Sequence, residues 1–149
     1  MERLKILIFR IGDRHFALPS KSVKEILDSS GSLKPVFYGG GALKGMMNFG
    51  GEVVSVLNAS VILDITDNAG GPMILVCKER EMEKVVGIAI SEVREMQLLQ
   101  ISGINQSVET DPPYVSGLIG ETDENSGKVV TLLDLNRFLD FAFTKIDRL

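Results

Sequence analysis

One histidine and one cysteine in 149 residues leave little room for side-chain chemistry. His15, alone and in a predicted hairpin, excludes a multi-histidine metal centre and any Ser-His-Asp arrangement, and is expected at the surface or across a strand pair. Cys77 has no partner for an internal disulfide. It lies in the apolar run 73–77, where a buried structural thiol is expected rather than a nucleophile. Long apolar runs are also missing: Lys5 and Arg10 interrupt the opening segment, which has neither a signal-type core nor the about 20 apolar residues of a span. That predicts a cytoplasmic protein with no direct membrane insertion. No stretch clusters Lys and Arg with stacking aromatics, and the net charge is −4, so no nucleic-acid partner is expected.

The acids do not pair in an apolar cleft, as general acid/base work requires. Asp13, Asp67, Asp123 and Glu124 fall in predicted turns, and Glu52 and Glu95 on alternating polar faces. Residues 39–45, Gly-Gly-Gly-Ala-Leu-Lys-Gly, superficially suggest a phosphate cradle, but no Ser or Thr follows Lys44 and no long helix follows the glycines. No catalytic residue, metal ligand or cofactor site is therefore expected.

What the chain does have is an ordinary globular composition, 44% hydrophobic and 24% charged, and a repeated unit. Residues 45–63 carry an apolar run, a Gly50-Gly51 turn suited to positive φ, a β-branched run from Val53 to Val56, and then Asn58 and Ser60 as caps for a helical turn. The pattern returns downstream, where Val53 aligns with Val129, Ser55 with Thr131, Asn58 with Asp134 and Leu63 with Leu139. A weaker echo sets residues 6–9, Ala17-Leu18 and 23–26 beside 74–77, Ala89-Ile90 and 93–96.

Read in order, residues 4–11 and 15–18 form a hairpin, and a short helical turn from Ser20 or Ser22 runs into a strand through Val23 and Leu27. Residues 29–41 are a long Ser, Gly and Pro connection. A Gly-Gly loop at 66–72 marks the boundary between the halves. Strands follow at 73–77, 85–90 and 93–99, then a polar connection over 101–116 and a last strand over 128–133. From Asp134 as N-cap, Leu135, Phe138, Leu139, Ala142, Phe143, Ile146 and Leu149 share a helical face, with Lys145 and Arg148 near the end of the helix. Many short strands, duplicated, predict a mainly β domain of two small barrel lobes, 1–68 and 69–149, with the amphipathic helix packed on the core.

In order along the chain, Ile-Leu-Ile-Phe-Arg-Ile-Gly-Asp with Phe-Ala-Leu-Pro, Val23-Lys-Glu-Ile-Leu, residues 43–58, 85–93, Tyr114-Val-Ser-Gly-Leu and residues 132–139 resemble the CheW-like coupling proteins of bacterial chemotaxis. The resemblance implies two SH3-like β-barrels around a shared core and no catalytic activity. It further implies an adaptor joining a chemotaxis histidine kinase, through that kinase's homologous regulatory domain, to the cytoplasmic tip of a chemoreceptor. By the same resemblance, Val23, Glu25 and Ile26 match the segment at kinase contacts, Gly45, Asn48 and Gly51 the hairpin at the lobe junction, and Val93 an apolar position near the receptor-facing groove.

The chain departs from the family pattern at Gly50, where Asn48-Phe49-Gly50-Gly51 replaces Asn, an aliphatic residue, Arg, Gly. Asn58-Ala59 stands for the usual Asp-Leu, and Ser55 for Pro. Glycine cannot imitate the arginine's planar five-donor fork, so coupling through Gly50 is expected to be weak or altered. Three other readings stay open. They are a divergent module of this family in another pathway, a small-molecule-binding or hydrolytic barrel with the 39–45 loop over a ligand, and a module that self-associates into rings or chains.

Overall fold

A computed structural model describes residues 2–28, 33–65, 72–120 and 129–147. The predicted turn acids Asp67, Asp123 and Glu124, and Arg148 and Leu149 of the predicted helix, lie outside them.

Among the described residues, twelve strands form two six-stranded sheets. The first half supplies β1 (Arg3–Ile11), β2 (Arg14–Pro19), β3 (Val23–Leu27), β4 (Lys34–Tyr38), β5 (Leu43–Phe49) and β6 (Glu52–Asn58), then the single-turn helix α1 (Ala59–Ile62). The second supplies β7 (Met73–Lys78), β8 (Val85–Ile90), β9 (Glu92–Gln100), β10 (Ile104–Gln106), β11 (Val115–Ile119), β12 (Val130–Leu133) and α2 (Leu135–Asp147). The expected hairpins, the turn over Ser20–Ser22 running into β3, and the terminal helix are all present. Asp134 caps α2, its Oδ1 accepting the Arg137 N–H at 3.0 Å. Asn58 does not cap α1 in this way; its Oδ1 accepts from the Ser60 hydroxyl at 2.7 Å.

The sheets do not divide at residue 68. One runs β10-β11-β12-β2-β1-β9, the other β3-β7-β8-β6-β5-β4, so the hairpin that opens each half is built into the other half's sheet. A lone hairpin is marginal in water, and here each is paired on both edges and buried on both faces. On β1, Ile6 and Ile8 point into their own sheet's cluster with Ala17, Ile119, Val130 and Leu132, while Leu7, Phe9 and Ile11 enter a central core. On β7, Ile74 and Val76 join Met47, Val54 and Val56, while Leu75 and Cys77 enter the same central core, which α1 and α2 cover. Met47 belongs to that cluster and Phe49 packs against it.

Pairing is duplicated in detail. Val23, Glu25, Ile26 and Leu27 lie opposite Cys77, Val76, Leu75 and Ile74. Their counterparts Val93, Glu95, Met96 and Gln97 lie opposite Phe9, Ile8, Leu7 and Ile6, with the same irregularity in register. Parallel pairing of β6 with β8 and of β12 with β2 sets Ala17 as the equivalent of Gly87. The sequence echo of Ala17-Leu18 with Ala89-Ile90 is therefore displaced by two residues. That slip keeps the alternation in phase, which is why periodicity alone admits it.

Two segments expected as connections contain strands, β4 and β10. Both are sheet edges, where Pro35 is tolerated because its ring nitrogen needs no ladder partner.

Candidate functional site

Three of the eight residues singled out from the sequence line one groove. Val23, Glu25 and Ile26, with Lys24 and Ser20, form one wall, Met96 the other, and Leu7 also lines the groove of about 280 Å³. The wall strands β3 and β9 are edges of different sheets, each paired on one side only. Alternation decides which side chains face outward. On β9, Gln97 is buried and Leu99 packs inside the sheet, so Met96 and Leu98 project outward and are 51% and 59% exposed. Ile26, the counterpart of Met96, is 39% exposed. Two equivalent apolar side chains thus meet one groove from different sheets, with Lys24 and Glu25 as charged residues beside them.

Val93 does not line this groove. It is half-buried and packs on the central core, as Val23 also does. The hairpin residues are elsewhere again. Gly50 and Gly51 have φ of 60° and 87°, and the Asn48 side-chain oxygen accepts the Gly51 N–H at 3.1 Å, closing an exposed two-residue turn. Gly45 offers no surface at all: it is buried, and a Cβ there would strike the Lys34 carbonyl oxygen. Its counterpart Gly117 is equally confined, with Ile104 Cγ2 2.7 Å and the Asn105 oxygen 2.8 Å from a built Cβ. Both glycines sit at register irregularities where β4 and β10 press on the neighbouring strand.

Met96, Leu7 and Leu98 complete the apolar surface and were not singled out from the sequence. The signal was present in outward-facing Met96 and Leu98 on a strand whose other face is buried, but an exposed apolar residue alone specifies nothing.

At the start of β9, Arg10 Nε donates to Glu92 Oε1 at 3.3 Å and Arg94 Nη1 donates to the same oxygen at 3.1 Å. Those guanidinium groups, Arg94 first, hold the Glu92 carboxyl below its usual range. Burial pushes the Cys77 thiol up to about 12, which keeps it protonated and inert at neutral pH. Among the described residues no helix is long and apolar enough to cross a membrane. None of their His, Cys, Asp and Glu side chains form a group that could hold a metal ion.

A sequence model described as the CheW-like domain matches residues 5–143. Among solved structures, the crystal structure of the scaffolding protein TtCheW from Thermoanaerobacter tengcongensis is similar in fold. It aligns with a TM-score of 0.76 at 16% identity, over 91% of this chain and 86% of that one. No curated protein sequence matches the chain.

Proposed function

Because the chain belongs to the CheW-like domain family, we propose that it is a non-catalytic cytoplasmic adaptor coupling a chemotaxis-type histidine kinase to chemoreceptors. The observation that carries this reading is the groove between β3 and β9. An opening of about 280 Å³ with Ile26 and Met96 on opposite walls suits one or two apolar side chains of an amphipathic helix. We assign that helix to the cytoplasmic tip of the receptor. The open backbone edge of β3, with Glu25 exposed beside it, is assigned to the kinase's regulatory domain, a homologous β structure able to pair with an edge. Asn48, Gly50 and Gly51 present a second, purely backbone-and-amide contact at the hairpin tip. Gly45 and Val93 act indirectly, by fixing the strands that carry the contact residues.

Copurification with a kinase regulatory domain and a receptor tip hairpin, added singly and together, tests this proposal. Recovery of all three in one complex supports the adaptor. Recovery of neither fragment would place the chain in another pathway of the same family.

A further inference from the structure

The duplicated pairing lets one half of the chain serve as a control for the other. Val93 lies opposite Phe9 and, one step on, Glu92 lies opposite Arg10, where their side chains pair at 3.3 Å. Val23 lies opposite Cys77 in the same way, so the equivalents of Glu92 and Arg10 are Ser22 and Lys78. Where one half has an arginine and a carboxylate, the other has a lysine and a hydroxyl.

Ser22 and Lys78 line a second groove, of about 220 Å³, together with Lys21, Arg80, Ser116 and Asn136 at the start of α2. Among the described residues, none of Lys21, Lys78 and Arg80 forms an ion pair. Asp134 also reaches this groove, but one of its oxygens accepts the Arg137 N–H as the cap of α2. Glu79, between the two cations in sequence, is buried, and its carboxylate oxygens accept the N–H groups of Glu81 and Met82 at 2.5 and 2.9 Å. Glu79 is therefore committed to backbone with both oxygens and Asp134 with one, against three cations in the groove. Apolar Pro19, Leu133 and Leu135 border the same space and suit the aliphatic stem of a glutamate.

We propose that this groove binds a carboxylate-bearing, acidic segment of a partner protein, which supplies from outside the charge that Glu92 supplies within the other half. The site shares no lining residue with the β3/β9 groove, and its assignment does not depend on what occupies that groove.

Fluorescence anisotropy with a labelled hexaglutamate peptide tests it. The wild-type chain binds the peptide, more weakly as salt rises. Replacing Lys78 and Arg80 together by Gln lowers affinity by about tenfold or more, the loss expected for charge-assisted contacts. Ser22→Glu, which recreates the carboxylate found in the other half, lowers it similarly while the domain stays folded by circular dichroism. Lys5→Gln, a cation removed elsewhere, leaves binding unchanged. The proposal is overturned by any of three results: no binding at low salt, Ser22→Glu binding as tightly as wild type, or inorganic phosphate displacing the peptide at matched ionic strength.

Discussion

At the scale of single residues, burial makes sensitive points of one thiol and of one pair of glycines. Cys77 is fully buried, and its thiol stays protonated to about 12 when folded, whereas the unfolded chain ionises near the ordinary value of 9.0. Between those values the unfolded state binds fewer protons, so stability falls as pH rises from about 9 toward about 12 and is unaffected by this group below that window. Cys77→Ala should cost about 1–2 kcal/mol at pH 7.5 through lost packing. In urea melts that deficit should narrow as pH is raised above about 9, since only the wild type carries the thiol's slope. Tyr114, also pushed up by burial, adds a slope common to both variants. A deficit constant across the window would show that the thiol ionises when folded.

Gly45 and Gly117 are that pair of glycines. Each packs against a neighbouring strand's carbonyl, so Gly45→Ala and Gly117→Ala should each destabilise the domain by about 1–3 kcal/mol. Gly103→Ala, where a Cβ meets nothing within 4 Å, should be close to neutral. Equal thermal melts for all three would refute this packing role. Recognising glycine at residue 45 needs no structure, but assigning it to packing rather than to a partner does, because the obstructing atom belongs to residue 34.

At the scale of elements, the β5–β6 hairpin has the positive-φ Gly50-Gly51 turn expected of it, and that turn limits what residue 50 can carry. A single positive-φ glycine at residue 51 would have left residue 50 free to accept a side chain. Both turn residues have positive φ, so an L side chain at 50 enters the left-handed region at about 1–2 kcal/mol. Gly50→Arg should therefore lower Tm by roughly 2–8 °C. The space around Gly50 is open, so the domain should still fold and gain affinity for a typical kinase or receptor fragment by about tenfold or more. Paired melting and titration curves check both halves of this prediction. Unchanged affinity would show that an arginine here has no partner to reach.

Most elements were legible because alternating apolar runs bounded by Gly and Asp specify hairpins directly. β4 and β10 were not, since both are short edge strands, the first carrying Pro35 and the second Asn105 and Gln106 where a strand period would be read. Segment 20–27 was read correctly as a turn entering a strand, which placed three groove residues on one element. Its opposite wall was missed: the repeat aligns Met96 with Ile26, 70 positions away, but an alignment of equivalents does not say that the two face one groove.

At the scale of the molecule, the sequence repeat announces two similar units but not that they exchange their opening hairpins. Exchange is a matter of which edge each hairpin finds, and the residues of β1 and β7 look alike in either arrangement. Its consequence is functional, because it brings edge strands of different sheets, β3 and β9, to the two sides of one groove. The same duplication, with Ser22 replacing the counterpart of Glu92, sets apart the cationic groove.

The adaptor reading requires that one chain hold two partners at once, the receptor helix chiefly on the Met96 wall of the groove and the kinase domain on the β3 wall. The most direct test is light scattering after size-exclusion chromatography of the chain mixed with a receptor tip hairpin and a kinase regulatory domain, for wild type and Met96→Asp. Wild type should give a complex of all three. Met96→Asp should keep the kinase fragment and weaken the receptor fragment by about 10-fold to 150-fold, the loss expected for one buried apolar side chain. A receptor fragment held equally well by both variants would contradict the assignment of the groove.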